Sequence, residues 1–189
     1  MQKIATLFVR DPDDRRRVLP EVTPGCEWVT AGEGTPTRKY DGTCTMFDGE
    51  RWWARREVRT GRSTPPNYVP VQHDEVTGKT VGWEPIEQSA FAKYHAEAVR
   101  WAHEETGTSS WPAGTYELVG PKVNGDPERA GGHRLRAHSA AEVLDDAPRD
   151  FDGLVAYLVD FEGEGIVWHH PDGRMVKLKR RDFAPAVTR

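Results

Sequence analysis

The sequence predicts an α+β fold in which antiparallel sheets are flanked by helices. Two turn motifs, Asp48-Gly49 and Pro171-Asp172-Gly173, each separate two runs of strand-forming residues, which indicates hairpins of antiparallel strands. Two further segments, near residues 89–106 and 150–161, carry apolar residues at helical spacing. A length of 189 residues predicts one domain spanning residues 1–189, long enough to bury a sizeable core.

The N-terminal half is expected to consist mainly of strands. The first strand should end before the Asp11-Pro12 break, and the stretch up to residue 32 should be loop with short structure. The expected strands cover residues 3–9, a run that ends at Lys39, 43–47 and 51–58. Residues 60–85 contain four prolines, so we expect a long loop with little regular structure, which is typical of a lid or a substrate loop.

The C-terminal half is expected to mix helices and strands. Residues 89–106 form the best helix, because aromatic residues recur at helical spacing and Gly107 supplies the stop; this aromatic stripe is expected in the core. Ser139 and Glu142 match a capping box for a short helix, and another helix begins near Asp150 or Asp152. The remaining expected strands cover residues 115–120, 133–138, 165–169 and 174–179.

Composition restricts the location and the partners of the protein. We find no signal peptide and no apolar run of the roughly 18 residues that a spanning helix needs, which predicts a cytoplasmic protein without a membrane partner. Two cysteines are too few for a disulfide framework. The net charge of -4 conceals an acidic segment at 141–164 and a basic one at 174–182, and only seven of 26 basic residues are lysines.

The C-terminal hairpin allows a geometric prediction. With a two-residue loop at Asp172-Gly173, Trp168 faces Lys177 and Ile166 faces Lys179. Side chains alternate along a strand, so both lysines share one face, Val176 and Leu178 share the other, and Glu164 joins the lysines. Such a surface is either an ordinary solvated sheet face or a site for an anion such as phosphate.

Lys39 is the second candidate for chemistry, within Lys39-Tyr40-Asp41-Gly42 at a probable strand end. A lysine nucleophile must lose its proton at neutral pH, whereas the reference lysine pKa is about 10.4. Neighbouring cations, either the hairpin lysines or a bound metal, would lower that pKa.

Four segments in order resemble motifs I, III, IV and V of the covalent nucleotidyltransferases, the superfamily of ATP-dependent DNA and RNA ligases and mRNA capping enzymes. They are Lys39-Tyr40-Asp41-Gly42, Tyr116-Glu117-Leu118-Val119-Gly120, Glu164-Gly165-Ile166-Val167 and Lys177-Leu178-Lys179. Within the superfamily, the sequence looks most like a small RNA ligase. The resemblance implies a nucleotidyltransferase (ATP-grasp-like ligase) core of antiparallel sheets with flanking helices, and no OB domain within residues 1–189.

The resemblance also implies a mechanism and its residues. Lys39 would attack the α-phosphate of ATP and carry AMP, which then passes to a polynucleotide 5′-phosphate before a 3′-hydroxyl seals the strand. Lys177 and Lys179 would hold the α-phosphate, and Glu117 would bind the ribose. Asp41 and Glu164 would bind Mg²⁺ or Mn²⁺ directly or through water. The implied substrate is RNA or a nicked duplex, with a helper or end-healing protein as a possible partner in RNA repair.

The sequence departs from this pattern at one position of motif I. Many relatives carry arginine two residues after the motif I glycine, where this chain has Cys44. Arg55 or Arg56 could replace that arginine at the nucleotide or hold the 5′-phosphate, or be ordinary surface residues. The residue that stacks on adenine is not identified by a motif, and His138 and Tyr157 are the candidates.

Other functions stay open at this stage. A capping-type guanylyltransferase would use GTP and the same lysine, a DNA ligase would differ in substrate, and a non-catalytic nucleic-acid-binding domain could keep the fold. The remaining suggestive residues are expected to be structural: His169 and His170 point to opposite sides of a strand, Cys44 is packed, and the tryptophans at 52, 53 and 111 pack in the core or at its rim rather than stack on bases.

Overall fold

The computed structural model describes residues 2–183 and has twelve strands, three α-helices and three short 3-10 helices. The strands are β1 Ala5–Thr6, β2 Phe8–Arg10, β3 Val18–Val22, β4 Thr35–Lys39, β5 Thr43–Phe47, β6 Trp52–Arg59, β7 Val69–Asp74, β8 Lys79–Pro85, β9 Gly114–Val119, β10 Arg134–Ala137, β11 Gly165–His169 and β12 Met175–Lys179. The helices are α1 Glu27–Thr30, α2 Ala92–Thr106 and α3 Phe151–Val159, and the 3-10 helices cover Ile86–Gln88, His138–Ala140 and Arg180–Phe183.

The chain divides into two compact units. In the part that the structure describes, the first unit comprises residues 2–3 and 41–140, and the second comprises residues 4–40 and 141–183. The division falls between Tyr40 and Asp41, inside the first of the four motifs.

The first unit is built on a six-stranded antiparallel sheet in the order β10-β9-β5-β6-β8-β7. Helix α2 packs against it, and a small core joins Ala98 of the helix to Leu118 of β9 and Val123. Phe91 and Tyr94 pack on this core, as predicted for the aromatic stripe. Gly107 ends the helix in the left-handed conformation that glycine adopts at least cost.

The second unit is built on a four-stranded sheet in the order β1-β12-β11-β4, with a β2-β3 ribbon beside it. Strand β11 is central and antiparallel to both neighbours. Its inward residues Ile166 and Trp168 are fully buried, as is Leu178 of β12. Helix α3 adds Leu154 and Leu158 to the same core, and the Asp150 side chain caps its N-terminus by accepting a hydrogen bond from the Gly153 amide at 2.8 Å.

Most predicted elements are confirmed within two or three residues, and the α+β class with largely antiparallel sheets is confirmed as well. The single strand expected over 3–9 is wrong. The structure has β1 and β2 in different sheets, because the backbone of Leu7 turns from one partner to another. Its amide donates to the Lys177 carbonyl at 2.9 Å, and its carbonyl accepts from the Thr23 amide at 2.8 Å.

The long loop expected over residues 60–85 is also wrong. Strands β7 and β8 form a hairpin there and extend the six-stranded sheet. Pro70 is compatible with a strand because β7 lies at the edge of the sheet, where a missing amide breaks no ladder. Pro65 and Pro66 therefore lie in the segment before an edge strand, and Pro70 lies in that strand.

The short helix expected after Ser139 is wrong for a different reason. Residues 142–144 pair irregularly with β4 instead: the Glu142 carbonyl accepts from the Arg38 amide at 2.8 Å, and the Leu144 amide donates to the Pro36 carbonyl at 3.0 Å. These bonds occupy the Glu142 carbonyl and the Leu144 amide, which in a helix would bond within the helix. Among the described residues, no helix has the length and apolar character required to cross a bilayer.

Candidate functional site

The predicted site residues belong to both units and are described unit by unit. Lys39, Glu164, Lys177 and Lys179 belong to the second unit, whereas Asp41, Arg55 and Glu117 belong to the first.

In the second unit, three neighbouring strands place Lys39, Gly165 and Lys179 in one row. Gly165 of β11 is the direct partner of Lys39 on β4 and also of Lys179 on β12. Opposed residues in a sheet share a face, so the two lysine side chains flank a position that carries no side chain of its own. The absence of a side chain at Gly165 therefore leaves a gap between the two lysine ammonium groups.

Glu164 fills this gap. Its Oε2 accepts a hydrogen bond from the Lys39 ammonium group, and its Oε1 accepts one from the Lys179 ammonium group. All three side chains are largely buried, with exposed fractions of 19% for Lys39, 16% for Lys179 and 10% for Glu164. Burial alone would raise the pKa of Glu164, but the two ammonium groups outweigh it and hold this pKa below its usual value. The carboxylate is thus ionised, and the cluster has one more positive charge than negative.

Gly165 is required for this arrangement. A Cβ atom at this position would lie 2.1 Å from the Leu178 carbonyl oxygen and 2.7 Å from the Lys179 Cα. Its φ of +154° also lies where side-chain-bearing residues are rarely found. A glycine therefore lets β11 approach β12 closely enough for Glu164 to reach both lysines.

The predicted hairpin register is wrong by one residue. Gly165, Val167 and His169 oppose Lys179, Lys177 and Met175, because the loop has three residues, 171–173, rather than two. The His170 amide donates to the Arg174 carbonyl at 2.9 Å and the Gly173 amide to the His170 carbonyl at the same distance, which closes this longer loop. Ile166 and Trp168 therefore face the core and do not oppose the lysines.

The assignment of faces on β12 is nevertheless confirmed. Val176 and Leu178 are buried, while Lys177 and Lys179 lie partly exposed on the opposite face. Lys177 stands one row from Lys179, between Val167 on β11 and Thr6 on β1. Two of the three predicted lysines, Lys39 and Lys179, thus contact one carboxylate, and Lys177 shares their face.

In the first unit, Glu117 is held by two groups. Its Oε1 accepts from the Gly42 amide at 3.1 Å, and its Oε2 lies 3.0 Å from Nε2 of His138. Gly42 approaches β9 so closely that a Cβ there would lie 2.2 Å from the Leu118 carbonyl oxygen. This contact explains why a glycine follows Asp41 in the motif.

Asp41 is anchored by the loop between β9 and β10. Its Oδ1 accepts from Nδ2 of Asn124 at 2.9 Å, and its amide donates to Oε1 of Glu128 at 2.9 Å. The Asn124 side chain also donates to the Gly42 carbonyl at 2.8 Å. Sequence reasoning missed Asn124 and Glu128, because the Gly, Pro and Asn content of this loop indicates a turn and nothing about its contacts.

Arg55 lies on β6 opposite Trp83 and is partly exposed. The alternative residue, Arg56, is exposed and lines a surface recess of about 420 Å³ together with Arg59 and Arg62. Glu57 also borders the recess, but its carboxylate pairs with Lys79 at 2.8 Å. Within residues 2–183, no carboxylate forms an ion pair with Arg56, Arg59 or Arg62, so the recess is electropositive.

The residues expected to be structural have structural partners. His169 contacts the Thr37 hydroxyl at 3.1 Å and His170 contacts Glu33 at 2.8 Å, so the adjacent histidines do not share a ligand. Trp52 packs edge-on against His95, Trp111 and Tyr116. It also contacts Phe47 with the two rings tilted by 39°.

The two candidates for stacking on adenine are both engaged in hydrogen bonds. The Tyr157 hydroxyl donates to Asp146 at 3.1 Å in the second unit. His138, in the first unit, bonds through both ring nitrogens, to Thr115 and to Glu117.

The chain is similar to proteins named RNA ligase 1. It is 28% identical to RNA ligase 1 of Mus musculus and 29% identical to RNA ligase 1 of Danio rerio, each over 158 aligned positions. RNA ligase 1 of Rattus norvegicus is 28% identical over 161 positions. Each alignment covers 69% of this chain and 46% of the relative, so the chain spans about half the length of these proteins. No protein-family model matches the chain.

Proposed function

We propose that this protein is an ATP-dependent RNA ligase that forms a covalent lysyl-AMP intermediate on Lys39. One observation carries the proposal: Lys39 and Lys179, 140 positions apart in the sequence, meet on a single carboxylate at Glu164. An excess of positive charge at a largely buried carboxylate favours a bound anion such as a triphosphate. The similarity to proteins named RNA ligase 1 supports the choice of reaction.

In the proposed first step, Lys39 Nζ attacks the α-phosphorus of ATP. The ammonium group first loses one proton to solvent; a phosphorus–nitrogen bond then forms, the bond between the α-phosphorus and the oxygen that bridges to the β-phosphate breaks, pyrophosphate leaves, and the nitrogen loses a second proton to solvent. Lys39 Nζ donates to Glu164 in the structure and must give up this contact to attack. The positive charge of Lys179 stabilises charge that develops on the phosphate.

The other proposed residues act around this step. Lys177 holds the α-phosphate with Lys179, Glu117 binds the ribose, and Arg55 contributes to nucleotide binding. Asp41 and Glu164 are the proposed ligands of Mg²⁺, and their carboxylate oxygens fit a hard cation. When bound, the metal supplies charge neutralisation for the phosphates. AMP then passes from Lys39 to an RNA 5′-phosphate, and a 3′-hydroxyl displaces it to join the strand.

Covalent labelling tests the proposal directly. The protein is incubated with ATP or GTP labelled at the α-phosphate in the presence of magnesium and is separated on a denaturing gel. We expect an acid-labile label from ATP that Lys39→Ala abolishes and that Lys93→Ala retains, since Lys93 is exposed on α2. A label from GTP alone would indicate a capping-type enzyme, and no label from either nucleotide with folded protein would favour a non-catalytic binding domain.

The surface recess lined by Arg56, Arg59 and Arg62 supports an RNA substrate. Guanidinium groups without a paired carboxylate attract phosphates, and neutralising a phosphate of a single strand contributes roughly 0.7 to the slope of log affinity against log salt. We expect the double variant Arg56→Gln with Arg59→Gln to bind a single-stranded RNA about tenfold more weakly at low salt and to reduce that slope by roughly 1.4. Fluorescence anisotropy at several salt concentrations measures both.

The matched control for this test is Arg100→Gln, which removes an exposed arginine from α2. It should leave the affinity and the slope unchanged. An unchanged slope in the double variant would show that RNA contacts a different surface.

A further inference from the structure

A thiol, a carboxylate and an imidazole converge on one face of the six-stranded sheet in the first unit. Sγ of Cys44, a carboxylate oxygen of Glu117 and a ring nitrogen of His138 all lie within 4.8 Å of one another. Each residue comes from a different part of the chain: Cys44 from β5, Glu117 from β9, and His138 from the turn directly after β10.

The sheet register produces this convergence. Cys44 and Glu117 are directly opposed in the β5-β9 ladder, so their side chains share a face. On the other side of β9, Arg136 of β10 opposes Glu117. His138 follows two residues later, which returns its side chain to the same face. Three adjacent segments thus deliver three donor atoms to one place.

The hydrogen bonds of His138 orient it for a cation. Nδ1 lies 2.9 Å from the Thr115 hydroxyl, and Nε2 lies 3.0 Å from Oε2 of Glu117. In the tautomer that carries its proton on Nδ1, that proton goes to the Thr115 hydroxyl and Nε2 turns a lone pair toward the carboxylate, as a bound cation needs; in the other tautomer Nε2–H donates to Glu117. A metal-binding histidine usually donates its other ring N–H to an acceptor, and the Thr115 hydroxyl oxygen is placed to accept from Nδ1.

The chemistry of the three donors selects the metal. Thiolate and imidazole are ligands of Zn²⁺, whereas Mg²⁺ takes oxygen ligands alone. Zinc binds sulfur at about 2.3 Å and nitrogen at about 2.0 Å, so atoms that share one zinc ion lie closer than roughly 4.3 Å. The three donors, within 4.8 Å of one another, would have to approach slightly to bind it. Three protein ligands leave a fourth tetrahedral position open to water or to a ligand.

We propose that Cys44, Glu117 and His138 form a binding site for Zn²⁺. On binding, the Cys44 thiol releases its proton to solvent, and the thiolate, the Glu117 carboxylate and Nε2 of His138 become ligands. The site gives a role to Cys44, the residue at which motif I departs from its relatives. It is distinct in chemistry from the proposed magnesium ligands, which are carboxylates only.

One consequence rests on the proposed function. Because Glu117 is the proposed ribose ligand, a zinc ion that occupies its carboxylate competes with ATP. Binding free energies are reciprocal, so ATP weakens zinc binding by the same factor by which zinc weakens ATP binding. Zinc would therefore act as an inhibitor of lysyl-AMP formation.

Cobalt serves as the spectroscopic probe, because Co²⁺ bound to a thiolate gives a charge-transfer absorption that Zn²⁺ lacks. The reduced protein is titrated with Co²⁺ without nucleotide, and Zn²⁺ is then added. We expect one cobalt per chain, a thiolate band, and loss of that band on addition of zinc. The variant Cys44→Ser should lose the band, and the matched variant Cys26→Ser should keep it, since Cys26 lies in the second unit.

Two measurements keep the test valid if a cysteine variant does not fold. In the wild-type protein, zinc should protect Cys44 from alkylation, as read by peptide mass spectrometry. His138→Gln should weaken cobalt binding at least tenfold while its circular dichroism stays unchanged. A wild-type protein without a thiolate band, or with equal alkylation of Cys44 in the presence and absence of zinc, would overturn the site.

The antagonism between zinc and ATP is tested separately. In the labelling assay, zinc should reduce the wild-type label and reduce the Cys44→Ser label much less, each relative to its own zinc-free value. Equal inhibition of both would overturn the antagonism. The cobalt titration uses no nucleotide, so failure of the ligase proposal and failure of the metal site give different results.

Discussion

Glu164 and Glu117, one in each unit, are glutamates whose neighbouring groups differ in charge. Glu164 of the second unit lies between two ammonium groups, so its cluster has a surplus of positive charge. Glu117 of the first unit lies beside an imidazole, a backbone amide and a thiol, none of which carries a fixed positive charge. The first cluster has a net positive charge, whereas the second offers a carboxylate without a neighbouring ammonium group. The residue type alone therefore does not identify the ligand of a site.

The largest expected effect comes from breaking the geometry around Glu164. Gly165→Ala should lower the free energy of unfolding by about 4 kcal/mol, because the new methyl group meets the Leu178 carbonyl and the backbone φ is unfavourable. Denaturant unfolding measures the change. The control is Gly173→Ala, which has open space around its Cβ and a φ of +91°, so only the backbone cost of about 1 kcal/mol is expected. Equal costs for both variants would contradict the close approach of β11 and β12.

The next effect concerns the charge surplus of the Glu164 cluster. Under the proposed mechanism, Lys179→Ala should reduce the rate of lysyl-AMP formation about 100-fold, equivalent to about 2.7 kcal/mol, because one of the two lysines proposed to hold the α-phosphate is lost. Single-turnover labelling measures the rate. Lys179→Arg should recover part of it, since the charge is restored on a larger group. A rate unchanged in Lys179→Ala would remove this lysine from the phosphate site.

A smaller effect concerns the ionisation of Glu164. Glu164→Gln should cost about 2 kcal/mol of stability at pH 7, because Lys39 and Lys179 lose their shared carboxylate while remaining largely buried. The folded-state pKa of Glu164 is lowered, so its stabilisation is complete above the unfolded value of 4.5 and is lost as the pH falls through the folded pKa. The difference between wild type and variant should therefore shrink in that acidic range.

Unfolding experiments from pH 7 to pH 3 measure this difference. Glu162→Gln is the matched control, because it changes a glutamate close in sequence that forms no ion pair among the described side chains. If the difference in unfolding free energy between wild type and Glu164→Gln does not change with pH, the ionised carboxylate does not have this role.

The sequence predicts the lysine cluster better than it predicts the hairpin that holds it. Alternation along β12 places Lys177 and Lys179 on the face opposite the buried Val176 and Leu178, so their face is correct. The register depends on one residue in the turn, and Asp172-Gly173 matches a common two-residue loop while the chain uses three. Glu164 still reaches Lys179, because it directly precedes Gly165, the residue opposite Lys179, and Gly165 has no side chain to block the approach.

The missed elements depend on contacts between distant segments. Pro65, Pro66 and Pro70 signal a break in any local pattern, and only the position of β7 at the sheet edge makes Pro70 compatible with a strand. Asn124 and Glu128 are joined to Asp41 across more than 80 residues, which no local pattern encodes. The pairing of His138 with Glu117 likewise requires the β9-β10 register.

The length of the three-residue loop at 171–173 sets the register of β11 and β12 and thereby the face on which the lysine cluster lies. A slip of one residue between β11 and β12 would place Leu178 opposite Gly165 and turn Lys177 and Lys179 toward Trp168 and the core. Burying two ammonium groups there would cost far more than any loop sequence could recover. Insertion or deletion of one residue in this turn should therefore disrupt the lysine cluster more than a substitution there.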